Sequence, residues 1–232
     1  MSSNLNSEEY WDQRFSTGHW DDVGGRDQTR LYATVLVDHL DISPDFSGTI
    51  LDFGCALGDA IPVYREAFPN SEFWGLDHSG SAVSRCRSTY GEVAEFIHGD
   101  QNDVPPVDVI IASHILEHID NDQEVVTKLL SCCRDLYIVV PFRETPLCKE
   151  HVHYYDENYY RSVGEYSWEV FPKLPGNWTP GFLFDNYLKN FFRFFLGKKR
   201  VERKKVVLFH FSSPGNGDSS TTEVTQEHQH GD

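Results

Sequence analysis

Short, nearly unbroken apolar runs alternate along this chain with stretches whose apolar residues recur every three or four positions. The runs 49–53, 72–77, 93–98, 107–112 and 136–141 read as buried strands, and 58–68, 79–89 and 121–132 as the amphipathic helices between them, the last capped by Asn121 or Asp122. Upstream, Leu31, Val35, Leu36 and Leu40 mark a further helix over 28–40, and Ser43-Pro44-Asp45 breaks the chain before the first strand. Such alternation predicts an α/β fold, a doubly wound and mostly parallel sheet with crossover helices. Two more β segments, 167–171 and 206–211, lie beyond the fifth strand.

The first strand runs into a glycine turn, Asp52-Phe53-Gly54-Cys55-Ala56-Leu57-Gly58-Asp59, and a helix follows. Gly54 and Gly58 permit a tight turn and close backbone approach, so a polar ligand group can sit against the helix start. The second strand, Phe73-Trp74-Gly75-Leu76-Asp77, ends in a carboxylate 25 positions after Asp52. A glycine turn with an acid downstream is how doubly wound sheets hold a ribose-bearing cofactor. A dinucleotide would want G-x-G-x-x-G, whereas this chain has G-x-A-x-G directly behind an acid. That carboxylate would repel a pyrophosphate and attract an ammonium group.

These residues resemble the first motif of the class I, Rossmann-like S-adenosylmethionine-dependent methyltransferases. Ala56 stands where a middle glycine is usual; its methyl fits if the backbone angles there are ordinary. The resemblance implies a seven-stranded sheet with an antiparallel final strand, and S-adenosylmethionine as cofactor. It puts Asp52, Gly54, Ala56 and Gly58 at the methionine end and Asp77, followed by His78, on the ribose hydroxyls. It puts Asp100 and Gln101 at the adenine, with Ser113 also on the cofactor. Tyr10-Trp11-Asp12-Gln13-Arg14-Phe15 looks like the family's N-terminal lid, so residues 1–27 read as a lid and 28–211 as the catalytic domain. An arm that merely packs its rings on the core fits residues 1–27 equally well.

After the fourth strand comes His114-Ile115-Leu116-Glu117-His118, similar to the "vLEHi" segment of the family. Metal-dependent members carry E-x-x-E-H here and a histidine after the fifth strand. This chain has His114 in place of the first acid, and the metal-free reading is preferred. If the segment is helical, His114, Glu117 and His118 share one face. The inverted zinc-protease motif H-x-x-E-H is set aside, because it needs a long catalytic helix in another fold. His151 and His153 share a face if their segment is extended. A histidine can take the proton of an acceptor hydroxyl, and His153, beside Tyr154, Tyr155 and Tyr159, is the first candidate base. Either histidine could instead only fix a loop by a hydrogen bond. His114, Glu117 and His118 are the other catalytic candidates.

Charge and composition narrow the acceptor. The chain has 232 residues and a net charge of −16, which argues against a broad nucleic-acid footprint. Five cysteines without a C-x-x-C pair, a polar N-terminus and no long apolar run predict a cytoplasmic protein with reduced thiols. An insertion at about 172–204 joins a proline-glycine stretch to an aromatic segment, 183–196, and a basic run ends at Lys205. Residues 183–205 could touch a membrane surface or a lipid-linked substrate, or simply pack on the domain with the bases solvated. The tail 212–232 is polar and reads as disordered. The expected activity is methyl transfer to a small molecule, at a hydroxyl of a sugar, glycan intermediate or phenol. The alternatives are amine N-methylation and a cofactor-binding partner protein without turnover. The oligomeric state is left open.

Overall fold

The computed structural model describes residues 5–172 and 205–212. The aromatic-basic insertion and the polar tail fall almost wholly outside these residues. Strands β1 (Thr49–Phe53), β2 (Glu72–Asp77), β3 (Glu95–His98), β4 (Val109–Ser113), β5 (Asp135–Phe142), β6 (Ser167–Pro172) and β7 (Lys205–Ser212) form one seven-stranded sheet of order β3-β2-β1-β4-β5-β7-β6. The pairs β1–β2, β1–β4, β2–β3 and β4–β5 are parallel, and β7 runs antiparallel to both β5 and β6.

The central strands are apolar on both faces, as strands covered by helices on either side must be. Ile50, Val109, Ile111, Tyr137 and Val139 point into one core, shared with Leu36 of α3 (Gly25–Val37), Ile61 and Tyr64 of α4 (Ile61–Ala67) and Val83 of α5 (Gly80–Tyr90). Leu51, Ile110, Ala112, Ile138 and Val140 point into the other, against Val125, Val126 and Leu129 of α6 (Asp122–Leu130). The helix expected at 58–68 begins only at Ile61, because the glycine turn occupies the residues before it. Asn121 precedes α6 without capping it; its side chain bonds Glu124 instead.

Two N-terminal helices complete the chain: α1 (Glu8–Ser16) and the single turn α2 (His19–Asp22). Ser7 caps α1 by accepting from the Tyr10 N–H, and Glu8 and Glu9 favour its positive end. Trp11 and Phe15 bury against Leu57 and Ala82. Asp12 accepts from the Ser79 hydroxyl and from the Ser81 N–H, and Arg85 donates to the Phe15 carbonyl. The aromatic segment is thus fastened to α5. No helix among the described residues is long and apolar enough to cross a membrane, and all five cysteines are free.

The strand order reverses between β1 and β4, and such a switch point opens a crevice at the carboxyl ends of the strands. The walls meet closely there: a Cβ built on Gly54, whose φ is +77°, would lie 2.6 Å from Ile115. Gly54→Ala is expected to cost about 2–4 kcal/mol, the sum of a left-handed backbone penalty and overpacking. Chemical denaturation checks this; an unchanged midpoint would show that the turn is not held as described.

Candidate active site

The crevice is a cavity of about 250 Å³, walled by the glycine turn, the ends of β2 and β4, α1, α3 and the loop after β5. Asp52 and Asp77 lie in it and are almost fully buried. The Gly54 and Cys55 N–H groups donate to the Leu76 carbonyl at 2.8 and 3.0 Å, and the Ala56 N–H donates to Asp77 Oδ2 at 2.8 Å. The turn after β1 is therefore hung from the end of β2. Asp77 Oδ1 accepts from the Ser79 N–H at 2.8 Å, and each oxygen keeps a second acceptor position.

Ala56 does not have the ordinary backbone angles that its side chain calls for. Its φ is +49°, in the region glycine favours, at a cost of about 1–2 kcal/mol. Its N–H is bonded to Asp77 and its carbonyl accepts from the Cys86 thiol at 3.2 Å. On the far side of the turn Asp59 receives Arg26, Arg30 and the Tyr90 hydroxyl at 2.8–3.0 Å, which ties α3 and α5 to it. Gly58 shapes the turn at φ +74° but is not a wall residue.

Several expected residues meet in this cavity and others do not. Gly54, Ala56, His78, Ser113, His114, Glu117 and His118 line it with the two acids. Asp100 and Gln101 do not: Asp100 is exposed and closes its own turn by accepting from the Asn102 N–H at 2.7 Å. His153 also stands apart. The chain around 151–153 is not a strand, so the two histidines diverge. His153 donates to the Ile119 carbonyl at 2.8 Å among Tyr155 and Tyr159, whose hydroxyls serve Asp122. Tyr154 is exposed. His151, not His153, faces the cavity.

His114, Glu117 and His118 do not ride one helical face, because only Leu116–His118 forms a single 3-10 turn and His114 precedes it at φ +56°. They meet all the same. His114 Nδ1 lies 3.1 Å from Glu117 Oε1, and the His118 Nδ1–H donates to the Glu150 carbonyl at 3.1 Å. Burial alone would push the Glu117 carboxyl up, but the hydrogen bond and charge of His114, with His118, hold it below the usual carboxylate range. Burial pushes the His118 imidazole down. His151 Nδ1 pairs closely with Glu144 Oε2, and its ring meets that of His118 edge-on.

Ligating atoms of Glu117, His118 and His151 come within 4.8 Å of one another, as do those of Glu144, Cys148 and His151. In the first trio Glu117 Oε1, His118 Nδ1 and His151 Nδ1 are hydrogen-bonded while Glu117 Oε2 has no partner, and His114 stands outside both groups. We assign no metal ligand.

Arg14, from the segment read as a lid, lines the wall, as do Trp20, Tyr32 and Glu150, which spacing alone does not single out. Glu150 accepts from the Tyr10 hydroxyl at 2.9 Å and from Arg14 at 3.3 Å, joining α1 to the loop after β5. Only the aromatic-arginine pattern of 10–15 hinted at them. Seven buried side-chain polar atoms among the described residues lack a partner, and six of these, on Trp11, Arg14, Trp20, His78, His114 and Glu117, belong to the cavity wall. Each unpaired buried group costs about 1–3 kcal/mol. Their gathering in one place is the mark of a polar ligand.

This fold has known counterparts. Residues 51–135 match the sequence profile of a family described as "Methyltransferase domain". A ribosomal RNA small subunit methyltransferase C of Stutzerimonas stutzeri (strain A1501) is 38% identical over 79 residues, which cover 33% of this chain and 23% of that protein. The chain thus spans about a quarter of that relative. Among solved structures, a chain from the Haloferax volcanii complex between the Trm112 methyltransferase activator and a methyltransferase shares the fold with a TM-score of 0.64 at 16% identity, covering 88% of this chain and 98% of the other. The plantazolicin methyltransferase BpumL in complex with SAH gives 0.55 at 16% identity, covering 90% and 96%. Coclaurine N-methyltransferase bound to N-methylheliamine and SAH gives 0.56 at 11%, covering 80% and 72%. Residues 51–135 thus match a methyltransferase domain, and the described sheet has the fold of these solved methyltransferase structures.

Burial first, and then the charge of Asp77, push the Asp52 carboxyl up to about 7. A carboxyl so raised binds a proton on folding, so its ionisation opposes folding increasingly from its ordinary value up to pH 7 and fully above it. Asp52→Asn removes that penalty. Its stability advantage over the wild type is expected to grow by about 2 kcal/mol between pH 5 and pH 8. Denaturant melts at the two pH values measure it; a constant difference would contradict the shift.

Proposed function

We propose that the chain is an S-adenosylmethionine-dependent methyltransferase that methylates a hydroxyl of a small molecule. The observation that carries this reading is the crevice itself, whose wall, beside a glycine turn, holds two buried carboxylates and six residues that each carry an unpaired buried polar atom. Burial raises both Asp52 and Asp77, so a cationic ligand would be bound by letting them ionise. S-adenosylmethionine carries an ammonium and a sulfonium. Asp77 has the free acceptor positions to take both ribose hydroxyls, and Asp52 lies where the methionine end would enter. The cofactor supplies an electrophilic methyl group; the protein has to align the acceptor, exclude water and receive a proton.

His114, His118 and His151 supply imidazoles at the wall, which favours oxygen as the nucleophile. Trp11 and Trp20, close over the same space, favour an acceptor small enough to be enclosed with the cofactor. The net charge of −16 opposes a polyanionic acceptor. An acceptor amine would need no base, and N-methylation is the outcome that would displace the hydroxyl reading.

Calorimetric titration tests the cofactor. S-adenosylmethionine and S-adenosylhomocysteine are expected to bind the wild type, and Asp77→Asn to bind about ten- to a hundredfold more weakly, the worth of a lost charge-assisted contact. Failure of the folded wild type to bind either would overturn the reading.

A further inference from the structure

Five histidines stand in or near the crevice; His78, whose Nε2 is buried without a partner, follows Asp77 at the end of β2, on the side of the turn assigned to the ribose, and the hydrogen bonds of the other four separate them. Nε2 of His153 is spent on the Ile119 carbonyl. His118 gives its Nδ1–H to the Glu150 carbonyl, and burial opposes its taking a proton. His114 and His151 each place Nδ1 against a buried carboxylate, Glu117 and Glu144 respectively. An ionised carboxylate only accepts, so in the neutral ring of each pair the hydrogen sits on Nδ1 and Nε2 keeps a lone pair. The Nε2 of His114 is buried and without a partner.

Position decides between these two. His114 follows directly on β4, the strand paired with β1, and its neighbour Ile115 touches Gly54 of the turn. His151 comes from the loop after β5, one strand further out. His114 is also the better held. Its N–H donates to the Val139 carbonyl at 2.8 Å and its ring rests on Tyr32 at 4.3 Å. Its φ of +56° turns it away from the course of β4. A left-handed histidine is a strained arrangement, of the kind that persists where a side chain must be aimed.

We propose that His114 Nε2 is the general base of the methyl transfer and that Glu117 is the positioning residue that fixes its tautomer. This rests on the methyltransferase reading above. His114 takes the proton of the acceptor hydroxyl while an oxygen lone pair bonds to the methyl carbon. The electron pair of the methyl–sulfur bond returns to sulfur, whose positive charge is thereby neutralised. The products are the methyl ether, S-adenosylhomocysteine and an imidazolium paired with Glu117. Around this base stand Tyr32 from α3, Glu117 and His118 from the 3-10 turn, Asp52 from β1 and His151 from the loop after β5.

The test has one arm that needs no acceptor. Long-range ¹H–¹⁵N correlation on the histidine-labelled protein reports which ring nitrogen carries hydrogen. His114 is expected as the Nδ1–H tautomer in the wild type and as the Nε2–H tautomer, or a mixture, in Glu117→Ala; Glu117→Gln serves as the better-packed control. An Nε2–H tautomer in the wild type overturns the proposal. The second arm follows methyl transfer from S-adenosylmethionine to a panel of phenols, catechols and sugar alcohols. His114→Gln is expected to keep cofactor affinity within about threefold and to lose about 10²–10⁴-fold in rate, with His151→Gln losing far less. Loss confined to His151→Gln, or abolition of wild-type transfer by a chelator, overturns the assignment. So does cofactor binding with no hydroxyl in the panel methylated. Absence of cofactor binding is a different failure, that of the methyltransferase reading itself.

Discussion

One carboxylate organises this molecule. Asp77, at the end of β2, takes the N–H of Ala56 on one oxygen and that of Ser79 on the other, out of contact with solvent. The first bond hangs the turn after β1 from the neighbouring strand; the second sets the start of α5. The first holds the alanine at φ +49° from its N–H, while the Cys86 thiol donates to its carbonyl at 3.2 Å. The price is a buried acid beside another, Asp52, and both are pushed toward their protonated forms by lack of water. Two such groups side by side are poor stability and good preparation for a cation, since a bound positive charge restores what burial removed.

The N-terminal helix extends the same logic. Asp12 reaches Ser79 and Ser81 at the head of α5, Arg85 reaches back to the Phe15 carbonyl, and Glu150 receives Tyr10 and Arg14 from across the crevice. A helix so short would not stand alone in water. Its place is fixed by these polar contacts and by burying Trp11 and Phe15. The result is a roof of indole and guanidinium whose N–H groups on Trp11, Trp20 and Arg14 still lack acceptors.

The fold was largely legible because it rests on continuous apolar runs: β1, β2, β4 and β5 each show one, and their covering helices show a clear period. Asp52, Asp77 and Ser113 could be placed because strand ends face one edge of a parallel sheet. What failed depended on local geometry that spacing does not carry. Taking 151–153 as extended put two histidines on one face, whereas the loop turns and sends His153 to the Ile119 carbonyl. Asp100 lies exposed outside the wall, one oxygen bonded within its own turn, a local geometry that spacing does not reveal. The backbone angle of Ala56 was equally hidden, because the device that enforces it lies 21 residues away. Helix α1 could have been found: Ser7 followed by Glu8 and Glu9 is a helix start.

The most direct test of the account is a crystal structure with S-adenosylhomocysteine. The ligand is expected in the crevice between β1 and β4, its ribose hydroxyls on Asp77 and its amino group on Asp52, with most of the six unpaired wall atoms gaining partners. A ligand seated elsewhere, or one that leaves both aspartates untouched, would contradict it.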